Sequence, residues 1–220
     1  MKLKFFFYVV VVTFLFSCKN QAQENSKLLV IQNSDPVVVP IENGLARAYF
    51  ASGCFWCVEA VYESVRGVDE VINGYAGGHT KTITYELSNT GRTGHAEAVE
   101  VIYDPIKISF ADLVDVYFGS QNISRVNGQG PDNGAQYRSI LFYQNADQKQ
   151  VIESKIKTIE ASQNIKVAAE VYPFLKFHRG EDYHQDFERL NPNHPYIRNI
   201  SIPRLLRFQQ KFPHLLKNNH

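Results

Sequence analysis

Two cysteines, Cys54 and Cys57, are the residues that first invite chemistry. They stand in Ser52-Gly53-Cys54-Phe55-Trp56-Cys57, where strand-like spacing gives way to helical spacing. Unpaired N–H groups at a helix start stabilise a thiolate, so this position predicts a lowered pKa for Cys54. Cys57 follows one helical turn later, a separation that permits a redox disulfide. The plainer reading is a pair of small buried hydrophobes. A metal site built from Cys54, Cys57, His79 and His95 matches no known ligand spacing, and no metal is expected. Two other segments bring polar groups to strand ends, where sites on rigid scaffolds form. Thr93-Gly94-His95-Ala96-Glu97 offers a carboxylate, and Gln129 to Ser139 offers Asp132 and the hydroxyl of Tyr137. Taken singly, these read as a solvated Glu, a turn Asp and a core Tyr.

Hydrophobic spacing predicts the elements that must position these groups. Leu45–Ala51 reads as a strand, and Cys54, Phe55, Val58, Val61, Tyr62 and Val65 recur at helical intervals, with Gly67 as a stop. Val68–Tyr75 and Ala96–Tyr103 read as strands. Ser109 and Asp112 form a capping-box pattern ahead of an apolar helical stripe. Gln136–Tyr143 is a further strand, Ala146–Gln163 a helix and Lys166–Val171 a last strand. The order β-α-β-β-α-β, then α and β, predicts an α+β fold: a ferredoxin-like split βαβ two-layer sandwich with both crossover helices on one sheet face. A thioredoxin-like arrangement shares several elements and is the alternative. The chain closes with a proline-spaced irregular tail and an amphipathic Leu205–Leu216, read as an extra C-terminal helix.

Composition narrows the class. Of 220 residues, 44% are apolar and 20% charged, which excludes a disordered chain and a membrane bundle. Lys plus Arg (23) nearly equals Asp plus Glu (22), which removes nucleic acid as the default partner. Three cysteines make no disulfide scaffold. Lys2 and Lys4 precede a continuous apolar run, Phe5 to Phe16, of signal-peptide length. It ends Leu15-Phe16-Ser17-Cys18, which resembles the lipobox of bacterial lipoproteins and marks Cys18 for lipidation. Cleavage near Ala22 is the alternative, and either route places the mature chain outside the cytoplasm, in the cell envelope facing the periplasm. The organisation expected is a signal segment over residues 1–17, a polar tether over 18–43, a catalytic domain over 44–190 and a C-terminal extension over 191–220 packing on that domain.

Read together, the motifs are specific. Gly53-Cys54-Phe55-Trp56, Asn73-Gly74-Tyr75-Ala76-Gly77-Gly78, Thr93-Gly94-His95-Ala96-Glu97 and Gly134-Ala135-Gln136-Tyr137-Arg138-Ser139 strongly resemble the peptide methionine sulfoxide reductase A family. Tyr85 stands twelve residues before Glu97, as in that family, and Tyr183-His184-Gln185 resembles its C-terminal signature. The resemblance runs from about Leu45 to Leu190. It implies reduction of the S epimer of methionine sulfoxide, free or in proteins, with Cys54 as nucleophile and Glu97 as general acid. Tyr85 and Tyr137 would bond the sulfoxide oxygen, Phe55 and Trp56 would wall the methyl pocket, and Asp132 would be the second carboxylate. His95 reads as a loop-structuring residue and His184 as one that helps close the site.

The chain departs from the family pattern at the resolving step. Cys57 replaces the usual Gly after Phe-Trp, and the tail from Asn191 has no cysteine. Cys57 is therefore expected to resolve the Cys54 sulfenic acid as a Cys54–Cys57 disulfide, recycled by a thioredoxin-like dithiol. Gln121-Asn122-Ile123 replaces the family's His-Asp-Pro, and Pro131 replaces the customary residue before Asp132. No bound cofactor and a monomeric state are expected. Two rivals remain: a thiol–disulfide exchanger using the cysteine pair alone, and an envelope lipoprotein that binds partners through its tail.

Overall fold

Period-two alternation in Ala96–Tyr103 does produce a strand, and the rest of the sheet assembles around it. The computed structural model describes residues 26–218. The segment expected to be an export signal, and Cys18 with it, lie outside the described residues.

A helical stretch over residues 26–32 (α1) is followed by β1 (Ala46–Ser52), α2 (Phe55–Glu63), β2 (Val68–Ala76), α3 (Tyr85–Asn89) and β3 (Ala96–Tyr103). Then come α4 (Phe110–Gly119), a small hairpin of β4 (Gly128–Gln129) and β5 (Asp132–Asn133), β6 (Ser139–Tyr143), α5 (Ala146–Gln163), β7 (Glu170–Pro173) and β8 (Phe177–Arg179). The main sheet runs β7-β6-β1-β3-β2-β8. Its four central strands run in the order β6-β1-β3-β2, each antiparallel to its neighbour, the arrangement that two split βαβ halves generate. This is the ferredoxin-like α+β sandwich the element order predicts. A thioredoxin-like sheet is excluded, because β7 on β6 is the one parallel pair in the six-stranded sheet.

Side-chain alternation decides which face each residue serves. Val99, Val101 and Tyr103 of β3 point to the helical layer, where they meet Val58, Val61 and Tyr62 of α2 and Leu113 and Tyr117 of α4. Glu97 has the same parity, so the strand delivers its carboxyl to that layer too. The capping box of α4 forms in full: Ser109 Oγ accepts from Asp112 N–H, and Asp112 Oδ2 accepts from Ser109 N–H. Ala96, Ala98 and Ile140 face the other side, which α1 and the chain after it cover. There Ile31 is buried, Val37 N–H donates to Phe174 O at 2.7 Å, and Gln144 Oε1 accepts from Val39 N–H at 2.8 Å. The part of the expected tether that holds the valine run thus lies against the domain surface.

Several boundaries differ from the sequence reading, among them the tail helix, expected over Leu205–Leu216 and found over Ile202–Lys211. The strand expected from Gln136 starts at Ser139, because Ala135–Tyr137 is a 3-10 turn. Arg138 holds it, donating to Ala135 O and Gly94 O at 2.8 Å each. The strand expected from Lys166 starts at Glu170, since Ala168 N–H is engaged by Ile123 O in the preceding loop, and it is not the last, because β8 follows it.

The tail folds back onto α2. After α6 (Phe187–Leu190), a π-helical turn at Ile197–Ser201 runs into α7 (Ile202–Lys211), with Pro203 in its first turn, where a missing N–H costs nothing. Ile197, Phe208 and Leu215 are buried. Arg66 N–H donates to Leu215 O, and Lys217 N–H to Ser64 O, fastening the end of the tail beside α2.

Candidate active site

β1 ends at Ser52, and the turn into α2 needs Gly53. Its φ is +85°, and a Cβ there would lie 2.6 Å from Gln129 Cβ, so glycine answers both a left-handed backbone and a close approach. Cys54 is then the N-cap of α2, with 6% of its surface exposed. From β3, Glu97 reaches the same point: its Oε2 accepts from Phe55 N–H at 3.0 Å. The carboxyl therefore takes up an N–H that the sequence reading left for the thiolate.

That contact corrects the expected electrostatics. Burial, then the hydrogen bond to Cys57 and the charges of Cys57 and Glu97, push the Cys54 thiol up instead of down. Cys57 moves the other way, to about 6, through the hydrogen bond to Cys54 and the nearby Arg204 guanidinium. The two sulfurs share a proton: one is lost readily from the pair, and the second is strongly held. Both cysteines are free thiols. Glu97 is 1% exposed, and desolvation raises it to about 8 despite the Phe55 hydrogen bond. A neutral carboxyl thus stands against a thiol pair that carries the charge.

The aromatic residues divide by depth. Phe55 is buried against His184, with centroids 4.8 Å apart. Trp56 is half-buried, stacked on Phe187 at 3.8 Å and edge-on to Tyr196 at 6.0 Å. Tyr85 opens α3 and rests on the His184 ring at 4.7 Å. Tyr137, from the 3-10 turn, stands close enough to Tyr85 for each to influence the other, and both tyrosines neighbour Glu97 and Cys54. The sequence-derived set Cys54, Cys57, Phe55, Trp56, Tyr85, Glu97 and Tyr137 is therefore gathered at one end of the sheet. Asp132, on β5, stands on the Cys57 side, where its Oδ2 accepts from Tyr196 OH at 2.5 Å.

Several supporting residues went unread in the sequence. Glu181 accepts from Tyr75 OH and Tyr85 N–H, each at 2.9 Å, and so sets the start of α3. Asn73 Nδ2 donates to His184 O, and buried Glu59 accepts from Asp186 N–H, tying the Tyr183-His184-Gln185 segment to β2 and α2. Burial raises Glu59 to about 8. Tyr196 and Arg204 come from the tail. Tyr196 OH lies 3.7 Å from Cys57 Sγ. Arg204 is buried and donates to Ser120 O, Ser52 O and Ser52 Oγ at 2.8, 3.0 and 3.1 Å. A lone cation among Ile202, Pro203 and Leu205 was the available signal for Arg204. A cleft of 480 Å³ reaches Cys57, Asp132, Tyr196 and Arg204 from outside. His95 lies away from the sulfurs: it contacts Thr80 O and the His178 ring, and burial lowers it to about 4, keeping it neutral. Among the described residues, no cluster of His, Cys, Asp or Glu could hold a metal ion.

A strand-to-helix cysteine with a buried neutral carboxyl and two tyrosine hydroxyls defines a thiol-dependent oxidoreductase. Residues 46–215 match the family model described as peptide methionine sulfoxide reductase, and the chain belongs to that family. It is a peptide-methionine (S)-S-oxide reductase by that membership. It is 42% identical over 174 residues to peptide methionine sulfoxide reductase MsrA of Acinetobacter baumannii (strain AYE), covering 79% of this chain and all of that one. It is 42% identical over 191 residues to MsrA 2 of Synechocystis, covering 83% and 89%. Among solved structures it is similar to methionine sulfoxide reductase A of Corynebacterium diphtheriae (29% identity, TM-score 0.62, covering 75% and 85%). It is also similar to reduced Mxr1 of Saccharomyces cerevisiae (30% identity, TM-score 0.65, covering 71% and 91%).

Proposed function

We propose that this chain repairs methionine sulfoxide in the cell envelope through a Cys54 sulfenic acid resolved by Cys57. The observation that carries the reading is the buried carboxyl of Glu97, held beside Cys54 at the start of α2 and protonated at neutral pH. A sulfoxide sulfur becomes electrophilic when its oxygen is protonated. Cys54 attacks that sulfur as a thiolate, its own proton passing to the Cys57 sulfur of the pair, while Glu97 protonates the oxygen and Tyr85 and Tyr137 bond it as charge develops. Phe55 and Trp56 receive the S-methyl. The oxygen passes to Cys54, the substrate sulfur is reduced by two electrons, and methionine leaves behind a sulfenic acid.

Cys57 then condenses with Cys54 to a disulfide and water, and a thioredoxin-like dithiol of the envelope restores both thiols. The coupling of the two sulfurs, each shifting the other's titration, supports this pairing. Export follows from the leader pattern, with Cys18 as the lipid attachment point. Loss of membrane fractionation in Cys18→Ala, with activity retained, would test the anchor.

The mechanism is tested by single turnover without reductant. Cys57→Ser should release one equivalent of methionine and accumulate a sulfenic acid that dimedone traps, while the wild type shows a Cys54–Cys57 disulfide by mass spectrometry. Sulfenic acid that persists in the wild type would refute internal resolution. A Cys57→Ser protein releasing no methionine would favour simple thiol exchange by the pair.

A further inference from the structure

The tail lacks cysteine, yet it places a phenol at the sulfur pair. We propose that Tyr196 is a catalytic residue of the disulfide-forming step, its hydroxyl accepting the Cys57 proton while passing its own proton to Asp132. The proposal rests on the reading that Cys57 resolves the sulfenic acid.

A tyrosine hydroxyl has one hydrogen and two lone pairs. Here the hydrogen is committed to Asp132 Oδ2 at 2.5 Å, leaving the lone pairs to face Cys57 Sγ at 3.7 Å. Protons can therefore run in one direction, from S–H to O–H to carboxylate. The same hydroxyl also interacts with Cys54, so it stands beside both atoms that must bond. Its ring is fixed edge-on to Trp56, and Ile197 next to it is buried, so the tail holds the hydroxyl in place.

The charged and titratable groups around Cys57 favour the shift. Cys54 comes from the start of α2, Glu97 from β3, Asp132 from β5, Tyr196 from the segment before the π-helical turn and Arg204 from α7. Arg204 is the cation among them, and it stabilises a Cys57 thiolate. Burial lifts Asp132 above the usual carboxylate range, which makes it a better proton acceptor. Burial and the neighbouring sulfurs keep the Tyr196 phenol protonated, so it conducts a proton without storing charge.

The step balances without an added reactant. Cys57 sulfur attacks the Cys54 sulfenic sulfur, the S–S bond forms and the S–O bond breaks. The departing hydroxide gains a proton through solvent in the cleft that reaches Asp132, equivalent to the one taken from Cys57. One thiol and one sulfenic acid become one disulfide and one water. Cys57 is oxidised by the oxygen already carried on Cys54.

Tyr196→Phe keeps the ring and removes the relay. In rapid-quench single turnover, the interval between methionine release and disulfide formation should widen by roughly 10²-fold, the low end of what a positioned proton carrier contributes. Sulfenic acid should then be trappable by dimedone. The pH profile of the disulfide step should also change: weakly dependent on pH around neutrality in the wild type, where the relay takes the Cys57 proton, but rising with pH in the variant, where solvent must take it. Asp132→Asn should show the same change in profile, which loosened packing alone would not produce. Wild-type rates and profile for the disulfide step in Tyr196→Phe would overturn the proposal, as would slowing confined to methionine release. A wild type that forms no Cys54–Cys57 disulfide would instead sink the reading beneath it.

Discussion

Glu97→Gln should remove the proton donor and, at the same time, make the fold more tolerant of alkaline pH. The carboxyl is 1% exposed, and burial raises its pKa from an ordinary 4.5 to about 8. The folded state therefore binds the proton more tightly than the unfolded chain does. A raised folded pKa contributes stability that is complete below pH 4.5 and is lost as pH climbs towards 8. Each pKa unit corresponds to about 1.4 kcal/mol, so moving from pH 5 to pH 8 costs the wild type about 3 kcal/mol at this position. Glutamine keeps an oxygen to accept from Phe55 N–H and has no charge to desolvate. The stability difference, variant minus wild type, should therefore grow by about 3 kcal/mol between pH 5 and pH 8. Glu59 is raised in the same direction, but both proteins contain it, so it cancels in the difference. Urea denaturation at pH 5, 6.5 and 8 measures this directly, provided the two proteins give the same slope. At pH 8 the variant should also gain roughly 6–12 °C in melting temperature relative to its pH 5 offset. A difference that stays constant with pH would mean that Glu97 is solvated and ionised in the fold. The neutral-acid chemistry would then have no source.

Two substitutions test how the turn and the tail hold the sulfurs. Arg204→Met removes three buried hydrogen bonds, two of them to the carbonyls of Ser52 and Ser120. The expected loss is about 2–5 kcal/mol, read by thermal unfolding, with iodoacetamide alkylation of Cys57 moving to higher pH as the guanidinium charge disappears. Gly53→Ala combines a φ of +85° with a contact 2.6 Å from Gln129 Cβ. It should cost about 2–4 kcal/mol in denaturant stability and reduce turnover further, since the contact pushes apart Cys54 and the hairpin that carries Asp132.

What the sequence revealed was what local spacing controls. Ala96–Tyr103 and Ala146–Gln163 have the predicted limits because alternation, an Asn145 cap and a left-handed Asn164 are all written within a few residues. The Ser109–Asp112 box is equally local. Strand order followed as well, because two split βαβ halves leave few right-handed arrangements. The thiol pKa was misjudged for the opposite reason. A helix start does favour a thiolate, but Glu97, from a strand three elements later, accepts from Phe55 N–H, and burial opposes any charge. No pattern near Cys54 encodes that approach. Tyr196 and Arg204 escaped notice because their tail has no periodic stripe before α7, and their value comes wholly from packing against α2.

The placement of charge explains why the site needs both a buried acid and a distant tail. Beside Cys54, a negative Glu97 and a thiolate would repel, and desolvation resolves the conflict by keeping the acid neutral at neutral pH. The charge then rests on the sulfur pair, where sharing between Cys54 and Cys57 and the Arg204 guanidinium accommodate it. In the proposed cycle Glu97 is left as a carboxylate beside Cys54 once the sulfoxide oxygen has its proton, and Cys57 has a separate proton acceptor within reach on its own side. A second carboxylate on the other side of the pair meets the need. The β4–β5 hairpin supplies Asp132, and the tail supplies the hydroxyl that joins it to Cys57. In the proposed cycle, reduction of the sulfoxide and closure of the disulfide thereby draw on two separate proton carriers, Glu97 as donor beside Cys54 and Asp132 as acceptor beside Cys57.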